Sequence, residues 1–415
     1  MRCRHCNKKL TLSLVDLGTA PPSNAYLTED RLDHPELWFP LRVLVCDRCW
    51  LVQTEDFARA DELFDADYAY FSGFSSSWLV HSERYVDAMV ERFELGEDNH
   101  VVEIAANDGY LLQYVKERGI PCTGVEPTAS TAAAARKKGI SVVEDFFGVE
   151  LANRMKSEGL SADLMAANNV LAHVPDINDF VAGFTKLLKP EGVATFEFPH
   201  LLKMIEQSQF DTIYHEHFSY LSLTAVQCIF EANGLTVFDV EELPTHGGSL
   251  RVFAQSSDHG SHILKSSVVT ILDMEAAAGL TRFEGYVGFQ ERADRIKDEL
   301  LEFLIKTKRE GKRVAAYGAA AKGNTLMNYA GIGPDLIEFV VDRNPAKAGK
   351  YMPGSRLPIV GEERIRETKP DYVLVLPWNL CEELTKQMHY ISDWGGVLVV
   401  AVPNLKFVNE KDTRS

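Results

Sequence analysis

Tyr214-His215-Glu216-His217 packs four proton-handling side chains into four consecutive positions. Removing a weakly acidic C–H proton beside a carbonyl takes a base, and the resulting anion takes hydrogen-bond donors. Histidine suits the first task because its free pKa lies near neutrality. A single histidine is usually a hydrogen-bonded structural residue; the density of groups sets this run apart. One helical turn would put Tyr214 and His217 on one face, and an extended strand would pair Tyr214 with Glu216. The sequence leaves both open. His246-Gly-Gly-Ser249-Leu-Arg251 is a second candidate: its glycines let the backbone approach a ligand, and Arg251 can meet a phosphate.

Cys3-x2-Cys6 and Cys46-x2-Cys49 form two knuckles of the kind that hold tetrahedral zinc. Four sulfurs leave no open position, so the ion is expected to be structural. Seven cysteines is an odd total, which argues against a disulfide framework. Cys122, Cys228 and Cys381 read as small buried hydrophobes.

Val101-Val-Glu103-Ile-Ala-Ala-Asn107-Asp108-Gly109 reads as a strand that turns into a helix, and Glu126 ends the next strand. An acid at the tip of a second strand can bind ribose hydroxyls, a geometry shared by NAD sites. Only one glycine stands where a dinucleotide fingerprint has three, so no tight pyrophosphate turn is built. S-adenosylmethionine fits better. Asp145 and Phe146, after a third strand, suit the edge and face of an adenine, and Asn107, Asp108, Gly109 and Asn168 complete the cofactor candidates.

The elements that must position these residues are strands and helices in alternation. Apolar runs from His100 to Gln255 alternate with helical segments, which implies a parallel sheet covered on both faces. Residues 270–310 read as one long charged helix, after which the alternation restarts with RVAAYG, LIEFVVD, YVLVLP and GVLVVAVP. Tyr317-Gly318-Ala-Ala-Ala-Lys322-Gly323-Asn324-Thr325 has the small residues and lysine of a phosphate-cradling turn at a helix N-terminus. The fold class is α/β in three parts: a zinc-binding module over 1–75, a Rossmann-like methyl-donor core over 76–270, and a linker helix with a C-terminal Rossmann-like domain over 271–415. The 415 residues carry 43 basic and 60 acidic side chains, a net charge of -17. That balance repels polyanions and argues against non-specific nucleic-acid binding, while leaving room for a small anionic ligand in a local basic pocket. No run reaches the ~18 apolar residues of a membrane helix, and the start lacks a secretory signal; a cytoplasmic location without membrane attachment is expected.

EIAANDGYLLQ, GVEP, the paired cysteines and YHEHFSYLS together resemble the sugar C-methyltransferase family along essentially the whole chain. The resemblance implies S-adenosylmethionine-dependent methylation of a carbon, C3 above others, beside the C4 ketone of a nucleotide-linked 4-keto-deoxysugar, as in antibiotic and surface-sugar pathways. It implies His217 as general base, with Tyr214, Glu216 and His173 in the same site and Tyr68 reaching it from the connecting segment, Tyr70 in reserve. The nucleotide, thymidine diphosphate foremost, is then expected between core and C-terminal domain, with Lys322, Asn324 and Arg343 at the diphosphate and His246 and Arg251 near the substrate. Structural zinc and a monomer are expected. The rival readings are an O- or N-methyltransferase of a small metabolite or nucleotide sugar and a zinc-ribbon protein that binds nucleic acid or a partner.

Overall fold

The computed structural model describes residues 1–57 and 72–408. Three sheets organise it, with strands numbered along the chain. The first joins β1 (Leu12–Ala20), β2 (Phe39–Val45), β3 (Val52–Thr54) and β9 (Ser219–Tyr220), all antiparallel. Its fourth strand comes from the YHEHFSYLS run, so the cysteine-bearing segment and the histidine segment share one sheet.

The second sheet has the order β10-β11-β8-β7-β4-β5-β6. Its members are β4 (Val101–Ile104), β5 (Cys122–Val125), β6 (Ser141–Val143), β7 (Ala162–Asn168), β8 (Leu188–Pro199), β10 (Leu235–Leu243) and β11 (Ser249–Ser256). Five strands are parallel, as the alternation predicts; β11 runs antiparallel between β8 and β10. A hairpin at 244–248 joins β10 to β11, and so short a link permits only an antiparallel pair. Burial on both faces explains the near-continuous apolar runs. On one side, the helix Ile177–Leu187 puts Phe180 and Phe184 against Phe147 and Phe196, with ring centroids 4.6–5.7 Å apart. Asp176 caps it by accepting the Asp179 N–H.

The third sheet is β14-β13-β12-β15-β16-β17, comprising β12 (Val314–Tyr317), β13 (Val340–Val341), β14 (Ile359–Val360), β15 (Tyr372–Val375), β16 (Val397–Val400) and β17 (Lys406–Val408). All but β17 are parallel. In both larger sheets the strand order reverses beside the first strand (β4 or β12), which opens a crevice at the strand ends.

The expected single helix over 270–310 is instead two, Ser266–Ala277 and Phe289–Arg309. Between them Gly279 and Gly285 pack backbone to backbone; a side chain on Gly285 would fall 2.3 Å from the Gly279 carbonyl oxygen. The expectation for the lone cysteines is also corrected. Cys228 is exposed, because Leu223, Val226, Ile229 and Phe230 take the inner face of its helix, and Cys122 and Cys381 are half-buried. Among the described residues no helix is long and apolar enough to cross a membrane.

Candidate active site

The turn after β4 bends through left-handed backbone at Ala105 (φ 58°), Asn107 (φ 48°) and Gly109 (φ 74°). Glu126, at the tip of β5, ties it down: its carboxylate accepts the Asn107 N–H at 2.9 Å and the Thr128 N–H at 3.0 Å. Glu103 is fully buried beneath the turn, and burial pushes its pKa well up against the pull of Tyr110. Asn168, at the end of adjacent β7, is buried with neither amide atom hydrogen-bonded among the described residues. Buried polar atoms are rarely left so, which marks Asn168 as a candidate to meet a polar ligand in the crevice. Backbone N–H groups of Ser72 and Gly73 cover the turn by donating to Asn107 and Asp108. Lys138 pairs with Asp108, and Arg154 pairs with Asp145 beside the exposed ring of Phe146.

The Tyr214–His217 segment is a turn, so Tyr214 and His217 face each other. The Tyr214 hydroxyl lies 2.8 Å from His217 Nε2, and the ring centroids are 4.0 Å apart. His217 Nδ1 meets the Thr212 carbonyl at 2.9 Å. A carbonyl only accepts, so Nδ1 carries the proton and Nε2 presents its lone pair. The His173 ring stands edge-on to His217 at 4.6 Å. Burial pulls the pKa of His217 well down, and that of His173 down to about 4, so both imidazoles are neutral at physiological pH. Glu216 is buried too, its pKa pushed up to about 7, and both oxygens accept from Asn24 Nδ2 at 2.9 and 2.7 Å.

Two other units hold this segment. Thr54, in β3, donates its hydroxyl to the His217 carbonyl at 2.9 Å, and β3 pairs with β9 just beyond. From the C-terminal side, Thr325 donates to the Ile213 carbonyl at 2.7 Å. In the first unit, the Cys3–Cys49 and Cys6–Cys46 sulfurs are each 3.5 Å apart, and all four lie within 4.8 Å of one another. Sulfurs bound tetrahedrally to one zinc stand about 3.8 Å apart, so the four thiols fit the ion. Gln53 supports them by donating to Cys3 Sγ.

A cleft of about 420 Å³ opens at the strand ends of the third sheet, lined by Gly318, Asp342 and Arg343 and closed by Tyr26 and Ser75. This is within the usual range for small-molecule sites. Asp342, ending β13, accepts N–H groups of Ala319 and Asn344, both at 2.8 Å. Lys347 reaches 3.7 Å from Asp342, donates to the Ala319 carbonyl and lies over the Tyr26 ring.

Comparison with known proteins settles the family. The chain matches C-methyltransferase NovU of Streptomyces niveus at 33% identity over 411 residues, covering 99% of this chain and 97% of that one. The chain belongs to the C-methyltransferase family. Family models match a zinc binding domain over 3–64, a methyltransferase domain over 79–240 and a C-methyltransferase C-terminal domain over 244–403. It is therefore a methyltransferase that uses S-adenosylmethionine, with a cysteine cluster suited to zinc. Among solved structures, a Pyrococcus horikoshii protein aligns with 45% of this chain and 95% of its own at 13% identity and a TM-score of 0.38. The Synechocystis magnesium protoporphyrin IX methyltransferase with bound S-adenosylmethionine covers 43% of this chain and 81% of its own at 16% identity and a TM-score of 0.32.

Several candidates of this C-methyltransferase fall elsewhere than expected. Arg251 is buried and paired with Glu197 at 3.0 Å and Glu241 at 3.2 Å, its plane over Tyr85, so its charge is already met inside the sheet. Asn324 is buried and gives its amide to the Ser23 carbonyl. Lys322 does not line the cleft, whereas Arg343 does, paired with Glu362. His246 is held at φ 55° with its ring edge-on to Trp78. Tyr68 and Tyr70 lie outside the described residues. Asn24, Tyr26 and Lys347 escaped the sequence reading. Pro21-Pro22-Ser23-Asn24 is legible as a turn, but nothing local points it at Glu216.

Proposed function

We propose that this C-methyltransferase methylates a carbon, C3 foremost, beside the C4 ketone of a nucleotide-linked 4-keto-deoxysugar, with thymidine diphosphate as the leading nucleotide. One observation carries the reading: a buried, neutral imidazole with a fixed lone pair stands edge-on to His173, just beyond β7, on a segment tied to the C-terminal unit by Thr325 and to the cleft by Asn24. Oxygen and nitrogen nucleophiles bear lone pairs of their own; a carbon must first lose a proton to a base.

His217 Nε2 takes that proton, and Tyr214, hydrogen-bonded to it, shields the lone pair from water. Glu126, Glu103, Asn107 and Asn168 would hold the ribose and polar ends of S-adenosylmethionine, and Phe146 its adenine. The sulfonium supplies an electrophilic methyl group when bound. The nucleotide lies in the cleft, where Arg343 and Lys347 offer positive charge to the diphosphate within an acidic protein. NovU is itself named a C-methyltransferase, and the full-length match supports the same reaction type here.

The test is mass spectrometry of nucleotide-linked 4-ketosugars incubated with the enzyme and S-adenosylmethionine in deuterium oxide. The expected product gains one methyl group on carbon, and the parent sugar gains deuterium beside the ketone. Methylation without that exchange would assign the reaction to oxygen or nitrogen.

A further inference from the structure

Lys322 differs from the cations of the cleft. It sits half-buried in the first turn of the helix Ala321–Ala330. An ammonium has three N–H donors. Among the described residues its hydrogen bond goes to Asn379 Oδ1 at 2.7 Å, and Nζ lies 4.6 Å from the centre of the Trp378 ring. Among the described residues that leaves two donors for a ligand.

The contacts around it lead to the histidines. Thr325, three residues on and so on the same helix face, bonds the carbonyl of Ile213, next to Tyr214. Trp378 donates its indole N–H to Asp211 at 2.7 Å and lies against Gly247, where a Cβ would come within 2.6 Å of the ring. Gly247 adjoins His246. The Lys322 charge also helps to depress the pKa values of both His217 and His246.

We propose that Lys322 is a catalytic residue that donates a hydrogen bond to the ketone oxygen as it becomes an enolate, and is not a diphosphate ligand. The inference rests on the C-methylation reading above. In the step, the C–H bond breaks and its proton goes to His217 Nε2. Its electron pair forms the C3=C4 double bond, and the carbonyl π pair moves onto oxygen, where the ammonium meets it without giving up a proton. Attack of that carbon on the methyl group forms the new C–C bond, breaks the methyl–sulfur bond with its electron pair going to the sulfur of the departing S-adenosylhomocysteine, and restores the carbonyl. The Asp211 carboxylate, held by Trp378, acts on the ammonium through space and keeps it charged, while its direct neighbours are an amide oxygen and an aromatic ring, so its remaining donors meet the negative charge as it develops.

The experiment compares Lys322→Met, Lys322→Arg and Arg343→Ala in the full-length zinc-loaded enzyme. Expected for Lys322→Met is a fall of about 10²–10³-fold in kcat and in deuterium wash-in, with unchanged calorimetric affinity for thymidine diphosphate and S-adenosylhomocysteine. Lys322→Arg recovers part of the rate, and Arg343→Ala weakens thymidine diphosphate instead. Wild-type wash-in by Lys322→Met overturns the inference while leaving the C-methylation reading intact. So does a loss confined to thymidine diphosphate affinity, which marks a diphosphate ligand, or a joint loss of both affinities, which marks a structural role. Absence of wash-in by the wild type overturns the C-methylation reading and the inference with it.

Discussion

The two doubly wound sheets use one device in opposite electrostatic settings. In each, an acid at the tip of the second strand accepts an N–H from the turn after the first strand and another from two residues beyond itself. Glu126 binds Asn107 and Thr128; Asp342 binds Ala319 and Asn344. The surroundings then diverge. Beside Glu126 lie further acids, Glu103 and Asp108, and the charges of Asp108 and Glu126 add to the burial that makes Glu103 hard to ionise. Beside Asp342 lies Lys347, with Arg343 next along the chain. Topology therefore says where a ligand goes, and local charge says which ligand. An acidic crevice suits a sulfonium with ribose hydroxyls, and a crevice with an offset acid suits a diphosphate.

If the two crevices only hold and the Tyr214–His217 segment reacts, replacing its His217 imidazole separates rate from affinity. His217→Asn is expected to lower turnover about 10³-fold with the affinities for S-adenosylhomocysteine and thymidine diphosphate intact. Calorimetry beside steady-state kinetics checks this, and a loss of either affinity would place His217 inside a binding crevice. The next effect concerns stability. Glu216 ionises near 7 in the folded protein against about 4.5 in the unfolded chain, so the native state binds the extra proton. That stability is full below about 4.5 and is lost as pH rises through 7. Glu216→Gln, which keeps an acceptor for Asn24, should raise unfolding free energy by up to about 3 kcal/mol at high pH and by little at low pH. Urea titrations at the two extremes measure the difference, and equal gains at both would refute the burial argument.

Exchanging the charges tests the comparison itself. Glu126→Ala should weaken S-adenosylhomocysteine binding about 10- to 100-fold through lost charged hydrogen bonds and leave thymidine diphosphate untouched. Lys347→Met should do the reverse. Calorimetric titration of both ligands into both variants gives four values, and a variant that weakens both equally would mean the crevices are not independent.

How legible all this was depends on the range of the interactions. Glu126 could be read because an acid ending an apolar run is a local signal, Glu103 because an acid interrupting one is another, and the cysteine knuckles likewise carry their geometry in their spacing. Asn24 could not: it meets Glu216 across 192 positions. The choice between turn and strand at Tyr214–His217 is made by Thr54 and Thr325, neither of which is near in sequence. Arg251 shows the opposite failure. A glycine-rich loop before an arginine suggested a phosphate site, but the acids that claim the guanidinium lie on the neighbouring strands β8 and β10. The break in the 270–310 helix was within reach, since Gly279, Gly285 and Gly288 interrupt that run.

The smallest effect tests the rim of the acidic crevice. Phe146 follows β6, the outermost strand, and is 52% exposed although large and apolar. Asp145 beside it is fixed by Arg154 and by the Phe146 N–H, so the ring's backbone is set before a ligand arrives. An exposed ring so placed gains from stacking on a flat base, worth about 1 kcal/mol at the low end of measured values. Phe146→Ala should thus weaken S-adenosylhomocysteine about fivefold without changing the urea midpoint, since an exposed ring contributes little packing. Phe146→Tyr should restore affinity. A drop in stability with affinity unchanged would instead make the ring part of the fold, and the acidic crevice would then hold its ligand by the strand-tip acids and the β4 turn alone.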